Sequence, residues 1–300
     1  PEGSSGYDLA KDIGPGLAKS AVAVSVDGVQ RDLHDVIEGD ASVSIITIDS
    51  DEGIEIMRHT LTAQVLARAI KNLYPKSKLA IGPTIDDGFY YDVESEKSIS
   101  SDDLSKIEDE MKKIIKTKSS ITKKLVSKSE ALKVFKEKKE SYKEIIVNES
   151  KQKDNFQLYY QDDKKFVDLC RGPHLPNLEF IGSFKLTKVS GAYWKGDSAN
   201  AMLTRIYGTA FNNEKDLQSH LDNLEEALKR DHRKLGKEMD LFHFQDEAPG
   251  MVFWHQNGWA IYRKLRNFIR KRLKESNYIE VNTPQVIDRK LWEASGHWDK

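Results

Sequence analysis

The segment Asp168-Leu-Cys170-Arg-Gly-Pro-His174 is the most informative stretch of this 300-residue chain. Its cysteine and histidine stand four residues apart across a Gly-Pro turn, so both can face one pocket and serve a metal, a general base or a polar wall. Asp168 alternates with Cys170 along a predicted strand, which lets both side chains point to the same side. The same spacing is also typical of a buried cysteine and a loop histidine without a chemical role. The segment predicts a pocket wall and leaves its chemistry open.

A second candidate segment, Arg58-His59-Thr60-Leu-Thr-Ala-Gln64, lies in a helical pattern over residues 54–73. A lone histidine near a helix start is more often a capping or core residue than a ligand. His59, Cys170 and His174 offer three metal ligands, whereas a closed structural zinc site takes four. They form a weak candidate set, and we expect no metal or other cofactor to be bound by this chain.

Composition limits the class of protein. Charged residues make up 32% of the chain and hydrophobic residues 38%, and no apolar run reaches the roughly 20 residues of a membrane span. A single cysteine rules out an intramolecular disulfide and fits a reducing, cytoplasmic compartment. The length predicts two or three domains. No Gly-x-Ser-x-Gly, His-Glu-x-x-His, P-loop or dinucleotide fingerprint is present.

The net charge of −1 conceals a gradient along the chain. Residues 1–60 carry four basic against twelve acidic side chains, and residues 229–300 carry fifteen against ten. The basic runs Lys229–Lys237 and Arg263–Lys274 are compatible with a solvated helix face or with contacts to a phosphate backbone.

Periodicity predicts an α+β chain. A small module of about 50 residues precedes a larger region of helices and strands, and Leu217, Leu221, Leu224 and Leu228 mark a later amphipathic helix. A basic helix over residues 257–276, with Ile261, Leu265 and Phe268 inward, leads to a predicted strand at Tyr278–Asn282. Because the chain begins with Pro1 and stops in charged sequence, we interpret it as an internal piece of a longer protein.

An ordered set of motifs covers essentially the whole chain. They are Tyr7-Asp-Leu-Ala…Pro15-Gly-Leu-Ala, Met57-Arg-His59, Ile81-Gly-Pro…Asp87-Gly-Phe-Tyr-Tyr-Asp92, Val167–His174, Ser190-Gly-Ala-Tyr-Trp-Lys-Gly-Asp197, Arg205-Ile-Tyr-Gly-Thr209, Arg230-Asp-His-Arg-Lys-Leu-Gly236, Glu247-Ala-Pro-Gly-Met-Val-Phe-Trp254 and Arg289–Trp298. In this order they resemble the threonyl-tRNA synthetases, a family of class II aminoacyl-tRNA synthetases.

The resemblance implies a domain order. Residues 1–49 would be a TGS domain of ubiquitin-like, β-grasp fold lacking its first strand, and residues 50–212 an α+β editing domain. Residues 213–238 would be a linker helix, and residues 239–300 the start of the antiparallel-sheet catalytic domain, with motif 1 at 257–284. Motifs 2 and 3 and the Cys/His/His zinc ligands are absent from this chain, so we expect that it cannot aminoacylate alone.

The same resemblance implies the activity. The parent enzyme would join threonine to its tRNA with ATP, magnesium and an active-site zinc, as a cytoplasmic homodimer assembled through motif 1. The chain itself would carry the editing domain, which hydrolyses tRNA mischarged with serine.

By the resemblance the catalytic editing residues are His59, Lys143, Asp168, Cys170 and His174. Tyr91, Gln64 and Thr60 would bind the substrate, and Lys229, Arg230, Arg233 and Lys234 would bind tRNA. We expect Lys143 and His59 to orient or activate a water, while Asp168, Cys170 and His174 shape the pocket and hold the serine.

One departure from the family concerns the helix that carries His59. The family has two histidines at i and i+4, on one helix face, whereas here Ala63 stands at i+4 and Gln64 at i+5. The flanking sequence indicates one extra residue in Thr60–Ala63, with Gln64 in place of the second histidine. A helical bulge would restore the register, or the helix would rotate to present Thr60 with Gln64. Since Gln cannot act as a base, we expect weaker or altered editing.

Two other functions fit the same residues. One is a freestanding deacylase that clears seryl-tRNA in trans. The other is a non-enzymatic RNA-binding regulatory module, which predicts RNA binding with a steep salt dependence and no deacylation.

Overall fold

The computed structural model describes residues 3–161, 166–284 and 288–298. The chain divides into two compact units, Pro1–Leu221 and Asp222–Lys300. The predicted boundaries at residues 49 and 212 fall inside the first unit and that at 238 inside the second. The described residues contain both helices and strands, in agreement with the α+β prediction.

The first unit begins with a small module of two helices and a three-stranded antiparallel sheet. Its elements are α1 (Gly6–Ile13), α2 (Pro15–Ser20), β1 (Ala21–Val26), β2 (Val29–Asp32) and β3 (Val43–Thr47), with strand order β2-β1-β3. Ser5 caps α1, because its hydroxyl accepts the Asp8 N–H while the Asp8 carboxylate accepts the Ser5 N–H. Ala21 packs towards the module's helices, whereas Val22 and Ala23 join the core of the larger domain. The central strand β1 thus contributes side chains both to the core of the module and to the core of the larger domain.

The larger domain is built around a helix that runs without interruption from Asp51 to Leu73. It comprises α3 (Asp51–Thr60), a π-helical segment (Leu61–Leu66) and α4 (Ala67–Leu73). An antiparallel sheet of order β10-β11-β6-β4 shares its core, with β5 paired to β6. Its elements are β4 (Lys78–Leu79), β5 (Thr84–Ile85), β6 (Gly88–Glu94), α5 (Leu104–Lys116), β10 (Ser183–Tyr193) and β11 (Met202–Phe211).

A second sheet completes the domain. Strands β7 (Ile121–Val126), β8 (Phe156–Gln161) and β9 (Val167–Leu169) pair antiparallel in chain order. Helices α6 (Lys128–Glu137) and α7 (Ser141–Glu149) lie between β7 and β8 in sequence, and Ala131, Phe135 and Val147 from them pack with Leu158 of β8 in a separate small core.

The second unit corrects several sequence predictions. The predicted linker helix is two helices, α8 (Glu214–Lys229) and α9 (His232–Glu238), and α8 begins in the first unit. Short strands β12 (Phe242–His243) and β13 (Phe253–Trp254) precede α10 (Gln256–Glu275) and α11 (Arg289–Ala294). The predicted strand Tyr278–Asn282 is not formed, because no described segment supplies a hydrogen-bonded partner for it.

The apolar side chains of α10 also depart from the prediction. Ile261, Leu265 and Phe268, which were expected to point inward, are between 44% and 61% exposed. The helical period was correct, but a core requires a facing surface, and none of the described residues covers this stripe. No described helix is both long and apolar enough to cross a bilayer.

Candidate active site

The loop after β9 brings Cys170 and His174 to the helix that carries His59. Gly172 occupies the turn with a φ of +63°, and a β-carbon there would lie 2.0 Å from Tyr159 Oη. Only glycine combines this backbone conformation with so close an approach. The turn therefore lets two side chains four residues apart face the same neighbour.

His59, Cys170 and His174 form one cluster, although His59 is more than 100 residues from the other two. His59 Nε2 lies 2.7 Å from Cys170 Sγ. The rings of His59 and His174 stack with their centres 4.7 Å apart and an angle of 8° between their planes. The side chain of His59 faces Cys170, as a role in the site requires.

The π-helical segment supplies the bulge suggested by the spacing of the sequence. A π-helical turn holds about one residue more than an α-helical turn and so accommodates the extra residue. The helix therefore continues beyond Leu66 without a break. Thr60 immediately precedes the segment. Its Oγ1 lies 3.1 Å from His174 Nδ1 and accepts the main-chain N–H of Leu175 at 2.9 Å. Thr60 thus contacts the histidine loop, and of the two alternatives considered for this helix the structure has the bulge.

Gln64 lies within the π-helical segment and is completely buried. Both its amide nitrogen and its amide oxygen lack a hydrogen-bond partner among the described residues, as does His174 Nε2. Gln64 is absent from the wall of the large cavity described below. Its predicted role in substrate binding therefore remains a prediction.

The unpartnered amide makes Gln64→Leu an informative substitution. A buried polar group without a partner costs about 1–3 kcal/mol, so we expect the free energy of unfolding to rise by about 1 kcal/mol or more. Urea denaturation would measure it. Gln161→Leu is the matched control, because Gln161 is equally buried. Its side-chain amide donates to the main-chain carbonyl of Gln64 and accepts from Arg68, so this variant should be destabilised. A destabilised Gln64→Leu would show instead that the amide has bound partners.

A buried ion pair forms the second part of the site. Lys143 Nζ lies 2.6 Å from Asp168 Oδ1, and both side chains are at most 4% exposed. Asp168 also accepts the Tyr91 hydroxyl at 3.2 Å and the Leu169 N–H at 2.8 Å. Burial, followed by the charge of Asp168, raises the pKa of Tyr91 well above its usual range, so its hydroxyl stays a donor.

The start of α7 is anchored in a way that fixes Lys143. Glu140, the residue before the helix, accepts the Leu79 N–H at 2.7 Å and forms an ion pair with Lys71 at 2.7 Å. Because Glu140 is 4% exposed, these bonds hold the first turn of α7 against α4 and β4. Lys143 projects from this anchored turn.

Both parts of the site open into one cavity of about 670 Å³. Its wall includes His59, Lys143, Asp168 and Cys170, with Arg171 beside them. His174, Thr60, Tyr91 and Gln64 stand behind this wall. A cavity of this size accommodates an amino acid together with part of a nucleotide.

Burial is the largest influence on both imidazoles. It lowers the pKa of His59 and of His174 below the ordinary value of 6.5, since a charged ring is poorly solvated there, and nearby Asp168 opposes the shift at His59. Both rings are therefore neutral at pH 7. A neutral imidazole can accept a proton.

These shifts predict how stability depends on pH. The unfolded chain binds protons at its histidines as the pH falls through about 6.5, whereas the folded chain binds them at His59 and His174 only at lower pH. We therefore expect the free energy of unfolding to fall between about pH 7 and pH 5. Urea denaturation across this range would measure the slope, which should be smaller in His59→Gln/His174→Gln. An unchanged slope in that variant would contradict the prediction.

His59, Cys170 and His174 are the three candidate metal ligands. One donor atom from each of His59, Cys170 and His174 lies within 4.8 Å of the others. This is one ligand fewer than a closed structural zinc site, and His59 and Cys170 are in direct contact. The described residues thus supply the expected weak candidate set, and a chelator must test it.

The four predicted tRNA-binding residues do not belong to this cluster. Lys229, Arg230, Arg233 and Lys234 lie in the second unit, and each has an acidic neighbour on its own or an adjoining turn. They are exposed, so such pairs contribute little and can be exchanged for phosphate contacts. Their role in tRNA binding stays a prediction.

Sequence reasoning missed two residues that touch the cluster. Tyr159 packs its ring edge on His174 with centres 4.4 Å apart, and Asp32 of the N-terminal module accepts the His174 N–H at 2.8 Å. No motif surrounds Asp32, and it lies 142 residues from His174. Only the tertiary structure reveals this contact.

Comparisons with known proteins match both parts of the first unit. Residues 1–47 match the TGS domain, and residues 157–207 match the threonyl and alanyl tRNA synthetase second additional domain. The chain is 52% identical over 293 residues to a threonine–tRNA ligase from Prochlorococcus marinus (strain MIT 9211), covering 98% of the chain and 46% of that protein. It is 51% identical over 293 residues to one from Hahella chejuensis (strain KCTC 2396), with the same coverage.

A third relative, from Legionella pneumophila subsp. pneumophila (strain Philadelphia 1), is 52% identical over 292 residues, which cover 97% of the chain and 45% of that ligase. The chain thus spans about half the length of the relatives it matches. With both domains present and half of its aligned residues identical, the chain is a homologue of the threonine–tRNA ligases over nearly its whole length.

Proposed function

We propose that this chain carries the editing site of a threonine–tRNA ligase, and that the site hydrolyses tRNA mischarged with serine. The observation that carries the proposal is the convergence of a neutral histidine, a thiol and a buried lysine–aspartate pair on one cavity. These groups come from α3, α7, β9 and the loop after β9, so no local sequence feature accounts for their meeting.

The chemistry of the two amino acids explains why such a site is needed. Serine lacks one methyl group of threonine, and the loss of one methyl in a binding pocket is worth only about 1–3 kcal/mol, or 10–200-fold. A synthetic site cannot reject the smaller amino acid strongly. A separate hydrolytic site that accepts the serine ester removes the error.

The proposed reaction is attack of water on the ester between serine and the terminal ribose. In the tautomer that donates Nε2–H to the Cys170 sulfur, His59 keeps Nδ1 as a proton acceptor. The water oxygen bonds to the carbonyl carbon while its proton passes to His59. The carbon–oxygen bond to the ribose then breaks, and the ribose oxygen takes that proton, leaving free serine and tRNA.

For Lys143 we propose the role of a hydrogen-bond donor. Because its ammonium is paired with Asp168 at 2.6 Å, it is a donor and not a base. Its two other N–H groups are available to the carbonyl oxygen, whose negative charge grows in the tetrahedral intermediate. Asp168, which also accepts the Tyr91 hydroxyl, holds the ammonium in place.

The contact between His59 and Cys170 also resembles a nucleophile and its base. Attack by the thiol would form a seryl thioester and release tRNA in a burst before serine appears. Attack by water releases both products together. We expect no burst, and Cys170→Ser should retain measurable deacylation.

Further proposals concern the longer protein. Its relatives are ligases, so we propose that it charges tRNA with threonine in the cytoplasm using ATP and magnesium, with zinc in a catalytic domain beyond these residues. We also propose that it is a homodimer, and that Lys229, Arg230, Arg233 and Lys234 contact the tRNA.

Incubation of the chain with tRNA for threonine carrying labelled serine tests the function directly. We expect the serine ester to be hydrolysed well above the uncatalysed rate, and the threonine ester much more slowly. Added chelator should leave the rate of deacylation unchanged. If chelator abolished deacylation, a metal would be assigned to His59, Cys170 and His174. RNA binding without hydrolysis would favour the non-enzymatic module.

A further inference from the structure

Asp32 ends β2 of the N-terminal module, yet its carboxylate contacts the wall of the site in the neighbouring domain. Its Oδ1 atom accepts the main-chain N–H of His174 at 2.8 Å. Oδ2 accepts the Tyr159 hydroxyl at 2.9 Å and lies 2.9 Å from Lys123 Nζ. Three donors from the larger domain thus converge on a single side chain of the module.

We propose that Asp32 is a positioning residue of the editing site, so that the N-terminal module is a working part of the hydrolytic centre. The inference rests on the proposed function. Asp32 is too far back to face the cavity, since His174 and Tyr159 lie between, and it acts through them.

The path from Asp32 to the cavity runs through Tyr159 and His174 to His59. Asp32 fixes the backbone of His174 and the hydroxyl of Tyr159, and the Tyr159 ring packs edge-on against the His174 ring. The His174 ring stacks on His59, which contacts Cys170. Each contact joins buried or half-buried groups, so a shift of the histidine loop is passed on to His59.

The chemistry of the carboxylate explains why aspartate is needed at this position. Both of its oxygens accept from donors that point in fixed directions. An asparagine would turn its NH₂ group either towards the His174 main-chain N–H, which would lose its acceptor, or towards Tyr159 and Lys123. In the second case the Lys123 ammonium would lose an acceptor, and the Tyr159 hydroxyl would keep only Gln157. The glycine turn at Gly172 adds to this requirement, because it brings the loop within reach of both Tyr159 and Asp32.

Asp35, in the loop that follows β2, provides a matched control. Lys123 forms an ion pair with both Asp32 and Asp35, whereas only Asp32 is bonded to His174 and Tyr159. Replacing either aspartate removes one charge next to Lys123. Only replacement of Asp32 releases the loop.

The experiment compares Asp32→Asn with Asp35→Asn in the full chain, with labelled seryl-tRNA as substrate. We expect kcat to fall about 10- to 100-fold in Asp32→Asn with KM little changed, because small displacements of catalytic groups have effects of this size. Asp35→Asn should stay within about threefold of the parent chain, as partly exposed ion pairs contribute little. Hydrogen exchange at the His174 amide should accelerate only in Asp32→Asn.

A double-mutant cycle with Tyr159→Phe separates positioning from general destabilisation. Tyr159→Phe retains the ring on His174 and removes the hydroxyl donated to Asp32. In the Asp32→Asn background it should reduce kcat much less than in the parent chain, because the shared contact is already lost. Equal effects in both backgrounds, or equal losses in Asp32→Asn and Asp35→Asn, would overturn the proposal. If the parent chain hydrolyses no seryl-tRNA the proposed function fails, and protection of the His174 amide still tests the contact.

Discussion

Lys143→Ala should cause a large loss of both stability and activity. It leaves the carboxylate of Asp168, which is 2% exposed, without its ion-pair partner. Breaking a buried pair in this way costs about 3–5 kcal/mol of unfolding free energy. Removal of a donor to the developing oxyanion should also lower deacylation by about 10²–10³-fold. Urea denaturation and the seryl-tRNA assay measure the two effects.

A double variant separates the two effects of Lys143→Ala. Lys143→Met/Asp168→Leu replaces the pair with apolar groups of similar volume, which is often neutral or stabilising. It should regain most of the stability and remain inactive. Lys136→Ala on α6 is the control, since Lys136 is exposed and its loss should change the unfolding free energy by less than about 0.5 kcal/mol. Recovery of activity in the double variant would remove Lys143 from the chemistry.

His59→Ala should reduce deacylation by about 10²–10⁴-fold, the usual contribution of a general base. The rate in the parent chain should stay level through pH 6.5 and fall only in more acidic solution, since burial lowers the pKa of His59. Free imidazole should restore part of the activity of His59→Ala, because the substitution leaves space for it. A purely structural role would show no such rescue.

His34→Ala serves as the control for this variant, because His34 is an exposed histidine in the N-terminal module. Its deacylation rate should match that of the parent chain. If Lys143→Ala and His59→Ala both left deacylation intact, the roles assigned to these residues would be wrong.

Local patterns predicted part of the first unit. The spacing of apolar residues indicated a helix over 54–73, and the structure has a continuous helix over Asp51–Leu73. The same reasoning failed in the second unit, where α8 and α9 replace one linker helix and Tyr278–Asn282 forms no strand. A periodic pattern reports a tendency, whereas a strand needs a partner and an apolar stripe needs a surface to cover it.

The candidate site shows the same division. The extra residue before Gln64 indicated a possible bulge, and the structure has a π-helical segment at Leu61–Leu66. The resemblance named Lys143 and Asp168, but nothing in the sequence showed that they form a buried pair. That pair is the observation behind our proposal that Lys143 acts as a donor.

The sequence by itself determined the kind of protein, its α+β class and the residues that could carry the chemistry, because composition, periodicity and motifs are properties of neighbouring residues. Only the tertiary structure decided how those residues meet. His59 contacts Cys170 across 111 positions and Asp32 reaches His174 across 142. Such contacts depend on the packing of several elements into one core, and no local preference of the chain specifies them.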